Sequence, residues 1–286
     1  MTMNLPHQPI ALLLMGALPL ACAGDPPPSP KIVQREVTVN GQTSPFEVGL
    51  PPGYSGSTAY PLGFGFHGFG RTHSDCRTVD CDGLQAQFEK TTVMVYPKSL
   101  GAGWVDDQAG TQQNLDLFAA VLATAQADYA IDASRIWVAG ASSGAYFANL
   151  LGCVYGKALQ AVFPVAGGMV FAPEQCVQGS TAWLLVHGID DTHVPIAEGE
   201  ATRDWAAGQN GCQQSTEPPL ATLREKIRVA RSQGLDAIDC ADYVGCGQRL
   251  PVTWCEHSQG GYDGSTHGWP TGASQRMRTF LEKLAQ

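Results

Sequence analysis

The stretch Arg135-Ile-Trp-Val-Ala-Gly140-Ala-Ser142-Ser-Gly144-Ala is an apolar run that meets Gly-x-Ser-x-Gly and continues as a helix-forming segment. No other feature restricts the fold of this chain as much. A strand that turns into a helix through one residue brings its own backbone against the helix's first turn, and only small side chains leave room for that approach. Gly140, Ala141, Gly144 and Ala145 leave that room. Ser142, at the apex, is then held in strained backbone with its hydroxyl exposed. With 33 glycines in 286 residues the bare pattern arises readily by chance, so the strand-to-helix setting carries the information.

The neighbouring segments have the same rhythm. Leu62 to His67, Val93 to Tyr96, Ile136 to Ala139, Ala161 to Val165 and Trp183 to Val186 are short apolar runs, most of them separated by helix-length segments, which reads as βαβ units around a parallel sheet. Gln113 to Tyr129 carries apolar residues at helical spacing, and Ser143 to Tyr155 reads as the helix after the turn. Lys31 to Leu50 alternates apolar and polar residues about Asn40-Gly41, so an antiparallel hairpin leads in. Ser215 to Asp239 breaks the pattern with Pro218-Pro219 and a charged amphipathic stretch, Leu220 to Arg231, which predicts an inserted surface helix. No internal repeat and no second core is visible. The expected organisation is an export signal over residues 1–23, a proline-rich leader over 24–30 and a single α/β catalytic domain over 31–286.

Export rests on two observations. Ile10 to Leu20 is a short apolar segment followed by Ala21-Cys22-Ala23, the small-residue pattern of a cleavage site, with lipidation of Cys22 as the alternative. Setting Cys22 aside, the nine cysteines leave eight, Cys76, Cys81, Cys153, Cys176, Cys212, Cys240, Cys246 and Cys255, a number that pairs completely as disulfides in an oxidising compartment. No pair has the two-residue spacing of a zinc knuckle, and no metal site is expected. A net charge of −9 without a basic run weighs against nucleic acid or an anionic membrane as partner and suits a neutral substrate.

A serine hydroxyl becomes a nucleophile when an imidazole takes its proton and a carboxylate orients that imidazole. In a strand-elbow-helix fold the order along the chain is Ser, then Asp or Glu, then His. Trp183-Leu-Leu-Val-His187-Gly-Ile-Asp190-Asp191-Thr-His193 is a strand ending in a loop with two aspartates, and His267-Gly-Trp-Pro270 follows the strand Val252 to Cys255. His257 is the other candidate for the histidine. His187, Asp190, Asp191 and His193 also fall within one loop, but without the fixed spacing of a helical metal motif. An oxyanion hole needs two backbone N–H groups. Ser143 offers one, and the glycine-rich turn His67-Gly-Phe69-Gly70 offers the other through Phe69, with Gly70 as the second choice. Trp104, in a glycine-rich loop, and Trp269, beside His267, are candidate substrate-binding rings together with Phe69.

Along most of its length the chain resembles extracellular feruloyl esterases of the type C kind and the related polyhydroxybutyrate depolymerase-like esterases, which are α/β-hydrolases. The resemblance is carried in order by Leu50-Pro-Pro-Gly-Tyr54, Tyr60-Pro-Leu62, His67-Gly68, Val95-Tyr-Pro97, Asp132 with Arg135, His187-Gly188 with Asp191-Thr-His-Val-Pro195, Asn210-Gly-Cys212, Gly245-Cys246, and His267 with Trp269-Pro270. It implies a mostly parallel central sheet flanked by helices and ester hydrolysis through an acyl-enzyme. Ser142 attacks, His267 transfers protons, Asp191 rather than Asp190 orients it, and the Phe69 and Ser143 amides hold the oxyanion. It implies no cofactor and no stable protein partner. It also implies a Cys212–Cys246 disulfide. Adjacency then suggests Cys76–Cys81, Cys153–Cys176 and Cys240–Cys255. The family usually has Gly-Gly before the catalytic histidine, where this chain has Ser265-Thr266. The implied substrate is an aromatic or acetyl ester on plant polysaccharide, with a hydroxyalkanoate ester as the alternative. With the sequence ending soon after Pro270, a polymer-adsorbing domain is not expected. A hydrolase fold kept as a binding protein without turnover is the reading from another class.

Overall fold

The computed structural model describes residues 30–170, 176, 179–261 and 264–286. The expected export signal, Cys22 and all of the leader except Pro30 lie outside the described residues. Among the described residues ten strands form one sheet in the order β1-β2-β4-β3-β5-β6-β7-β10-β9-β8. They are β1 (Lys31–Val39), β2 (Gln42–Leu50), β3 (Tyr60–Phe66), β4 (Val93–Pro97), β5 (Ile131–Ala141), β6 (Ala161–Val165), β7 (Ala182–Gly188), β8 (Thr216–Glu217), β9 (Ile238–Tyr243) and β10 (Val252–His257). From β4 through β3, β5, β6 and β7 to β10 every neighbour is parallel, and both flanks are antiparallel. The hairpin register pairs Val39 with Gln42. Asn40 and Gly41 both have positive φ, at 50° and 80°, as a two-residue turn matched to strand twist requires.

The central strands are apolar on both faces because both are covered. Phe64, Phe66, Val138, Val162, Trp183, Leu185 and Trp254 belong to the core on one face, packed under the helices Gln108–Asp128 and Ser143–Tyr155. Their chain neighbours Trp137, Ala139, Phe163, Leu184, Val186 and Cys255 belong to the core on the other, with Phe88, Met277 and Phe280 of the helices Leu84–Phe88 and Ala273–Leu284. That is the period of two expected of strands sandwiched between helix layers. Gly63 is where a side chain is excluded: a Cβ there would stand 2.3 Å from the Trp137 ring.

The helix predicted over Leu220 to Arg231 is present as Leu220–Ser232, but its segment is an extension of the sheet rather than an insertion. Thr216–Glu217 and Ile238–Tyr243 add antiparallel to the β10 edge, and the helix between them, Leu220–Ser232, buries Leu223 and Ile227. Arg224 of that helix pairs with Glu256 of β10, which is fully buried and also accepts the Trp254 indole N–H at 2.9 Å, and it reaches Glu200 at 2.7 Å. Removing one member of a buried pair strands the other charge. Arg224→Ala is therefore expected to destabilise the protein by about 3 kcal/mol in urea unfolding, and the double replacement Arg224→Met/Glu256→Gln by clearly less. Equal losses from the two would show that the helix is held by its apolar face alone.

Four disulfides join Cys76 to Cys81, Cys153 to Cys176, Cys212 to Cys246 and Cys240 to Cys255. The last links residues directly opposite each other in the β9–β10 register. Among the described residues, no helix is long and apolar enough to cross a membrane.

Candidate active site

Ser142 stands between the C-terminal end of β5 and the helix Ser143–Tyr155, with φ 53° and ψ −117°. Little else fits around this turn. A Cβ at Gly140 would come within 2.2 Å of Gly144 O, and one at Gly144 within 2.2 Å of Phe66 O. The Ser142 amide donates to Val165 O at 2.9 Å, so the strained residue is tied to β6. Its hydroxyl opens into a cleft of about 370 Å³ lined by Phe69, Arg71, Asp80, Ser142, His193 and His267, among others.

Asp191 and His267 come from loops after β7 and β10. His267 Nδ1 lies 2.8 Å from Asp191 Oδ2, while Asp191 Oδ1 accepts the amides of His193 and Val194, each at 2.9 Å. Burial pushes the Asp191 carboxyl up, but the His267 hydrogen bond and the Val194 amide outweigh it and hold it below the usual carboxylate value. Asp190 turns away to Arg231, at 2.5 Å, and is half-exposed. The structure therefore brings Asp191 and not Asp190 to His267. His257 is buried in the last position of β10 and does not line the cleft. Ser265 and Thr266, standing where the family's Gly-Gly is expected, brace this loop: Ser265 Oγ accepts the His267 amide at 3.1 Å and Thr266 Oγ1 the Asp190 amide at 2.8 Å.

The oxyanion turn follows β3. Gly68 N–H donates to Asp80 Oδ2 at 3.0 Å and Gly70 N–H to Ala102 O at 2.7 Å, which leaves Phe69 N–H between two engaged amides and removes Gly70 as the alternative donor. Ser143 N–H is in the first turn of its helix, where amides have no intrahelical acceptor. The Phe69 ring is 64% exposed at the mouth of the cleft.

Two expected substrate-binding rings are elsewhere. Trp104 is fully buried, stacked on Phe147 and edge-on to Phe66, because its loop wedges the oxyanion turn in place: its indole N–H donates to His67 O and its amide to Ser143 Oγ, both at 2.9 Å. Trp269 packs in the second core with its indole N–H on Ser274 Oγ at 3.0 Å. Arg71 and Asp80, which the sequence did not mark, line the cleft instead, together with His193, weighed there only as a metal ligand, whose ring centroid lies 4.9 Å from that of His267. No chemical motif marks Asp80, which precedes Cys81 at the end of the short Cys76–Cys81 loop.

The loops of the site rest on buried neutral histidines. His67 Nδ1–H donates to Gly68 O at 2.7 Å while Nε2 accepts the Ser99 amide at 3.2 Å, and His187 Nε2–H donates to Val194 O at 2.9 Å. Burial pushes His67 down to about 4 and His257 to about 3, and pushes His187 down as well. Each regains an ordinary value near 6.5 on unfolding. Below about pH 6.5 the unfolded chain thus binds protons that the folded one refuses, and stability falls as pH falls toward about 4. At pH 5 His67 and His257 are each expected to account for about 2 kcal/mol of lost stability. Urea unfolding between pH 7 and 5 measures it, and a flat profile would contradict the neutral, buried assignment.

Comparison with known proteins places this geometry. No protein-family model matches the chain. It is 27% identical over 255 residues to a probable feruloyl esterase C of Aspergillus terreus, covering 87% of this chain and 84% of that protein. It is 32% identical over 88 residues, 30% of this chain and 20% of the other, to a poly(3-hydroxyalkanoate) depolymerase C of Paucimonas lemoignei. The structure resembles an acetyl xylan esterase from Aspergillus awamori, with a TM-score of 0.62 at 17% identity over 87% of this chain and 99% of that one. The chain has the α/β-hydrolase fold, is similar over most of its length to feruloyl esterases of the type C kind, and is an ester hydrolase.

Proposed function

We propose that the chain is an exported single-domain serine esterase that cleaves hydroxycinnamoyl or acetyl esters on plant polysaccharide. Ser142 attacks the ester carbonyl, His267 takes its proton and returns it to the leaving alcohol, and Asp191 holds the imidazole and stabilises the imidazolium. The Phe69 and Ser143 amides receive the oxyanion, and water then releases the acyl group by the same steps. The observation that carries this reading is the 2.8 Å His267–Asp191 hydrogen bond on a cleft shared with the strained Ser142. Aromatic acyl groups are favoured by one ring, Phe69, rather than by the three first considered. The likeness to a depolymerase segment favours a second reading, a hydroxyalkanoate ester as substrate.

A panel of methyl ferulate, methyl caffeate, aryl acetates and polyhydroxybutyrate film separates the two. The small esters are expected to give the higher kcat/KM, and efficient clearing of the film without turnover of the small esters would reverse the assignment. Phe69→Ala keeps the backbone donor and is expected to raise KM for methyl ferulate about tenfold, the worth of one aromatic contact, with little change for aryl acetates.

A further inference from the structure

The Gly68–Phe69 peptide unit that presents the oxyanion donor is held at every other polar atom around it. Gly68 O accepts His67 Nδ1–H at 2.7 Å, Gly68 N–H donates to Asp80 Oδ2 at 3.0 Å, and the next amide, Gly70, is taken by Ala102 O. Of these anchors only Asp80 is a side chain from another segment. It ends the π-helical turn Cys76–Asp80, and the Cys76–Cys81 disulfide closes that turn across five residues. Both cysteines are buried beneath the end of β3, so close that a Cβ at Gly65 would stand 2.9 Å from Cys76 Sγ. The Asp80 carboxylate thus lies between a buried covalent clamp and the Gly68 amide. Its Oδ1 faces Arg71 Nε at 3.6 Å. A carboxylate beside a developing oxyanion opposes its charge, and the Arg71 guanidinium offsets that opposition.

We propose that Asp80 is a positioning residue of the oxyanion hole, aiming the Phe69 amide through its hydrogen bond to Gly68, and that the Cys76–Cys81 disulfide holds Asp80 in that place. The proposal rests on the serine-esterase reading above. Loss of an oxyanion donor costs about 10²–10³ in kcat, so misaiming one costs less, about 10- to 100-fold.

Asp80→Ala is expected to lower kcat by about 10- to 100-fold with KM changed by less than about threefold, and to weaken an aryl boronic acid, which mimics the tetrahedral state, by the same factor. Asp80→Asn keeps a carbonyl oxygen for the Gly68 amide and is expected to recover both quantities to within about fivefold of wild type. Cys76→Ala/Cys81→Ala is expected to reproduce the kcat loss, and adding Asp80→Ala to it to cost at most about a further twofold, because both changes break one link. Wild-type kcat in Asp80→Ala, a loss that Asn does not recover, or full additivity with the disulfide variant would overturn the proposal. If Asp80→Ala does not fold, an unchanged kcat in the disulfide variant overturns it alone. Activity surviving in Ser142→Ala would instead sink the assignment of Ser142 as the nucleophile, a result distinguishable from all of these.

Discussion

Ser142→Ala is expected to lower kcat by about 10⁵- to 10⁶-fold, with the midpoint of thermal unfolding unchanged within a few degrees. The size of the loss follows from the nucleophile's place in a unit: without the hydroxyl, His267 and Asp191 have no proton to move, and the two amides alone retain only a small part of the rate enhancement. Stability survives because alanine keeps the Cβ that already fits the turn at φ 53°, and the amide of residue 142 still donates to Val165 O. Labelling by a fluorophosphonate reads the same atom without a substrate. Wild-type protein is expected to label stoichiometrically and the alanine variant not at all. Labelling that persists in Ser142→Ala, or turnover within a hundredfold of wild type, would place the nucleophile elsewhere. A wild-type chain that binds esters yet never labels would support a binding protein on a hydrolase fold.

The elbow was legible because its constraint is local. Gly140, Ser142 and Gly144 lie within five residues, and the clash that demands glycine at 140 is with the first turn of the following helix, while the one at 144 is with the backbone of Phe66 and His67 at the end of β3. The hairpin about Asn40-Gly41 was legible for the same reason. The parallel strands were visible as apolar runs because both faces of the sheet are covered. Asp191 was reached through the resemblance alone, since Asp190 and Asp191 are equivalent in chain order. What separates them is direction: one carboxylate turns to His267 and the other to Arg231.

The failures share the opposite cause. Trp269 stands beside His267 in sequence and Trp104 lies in a glycine-rich loop able to reach the cleft, and those placements suggested substrate contact. An indole presents a large apolar area and one N–H, however, and the core offered each ring both burial and an acceptor, His67 O for Trp104 and Ser274 Oγ for Trp269. Neither acceptor is visible without the fold. The segment from Ser215 to Asp239 was misread because β8 is two residues long and β9, Ile238-Asp-Cys-Ala-Asp-Tyr, alternates too weakly to announce a strand; its partner β10 supplies the pairing. The helix Ile196–Gln209 went unassigned since Gly199, Gly208 and several charges blur its apolar face. For Trp104 and for β9 the deciding contact is long-range.

Asp191→Asn is expected to lower kcat by about 10⁴-fold, and Asp190→Asn by less than about threefold. The amide oxygen of asparagine still accepts the His193 and Val194 amides, so the loop keeps its shape. With that oxygen on the loop amides the NH₂ faces His267, so the imidazole receives a donor where it had an acceptor and is held in the wrong tautomer, its Nε2 protonated and unable to take the Ser142 proton. The imidazolium also loses the charge that stabilises it. Asp190 has no such part: its carboxylate meets Arg231 at the surface, and exposed pairs are worth about 0–1 kcal/mol of stability. The two variants differ by one position and one direction, which makes the comparison strict. A large loss from Asp190→Asn with near-normal turnover in Asp191→Asn would mean that the loop after β7 changes its hydrogen bonds when substrate is bound, and that the 2.8 Å contact between His267 and Asp191 does not set the catalytic tautomer.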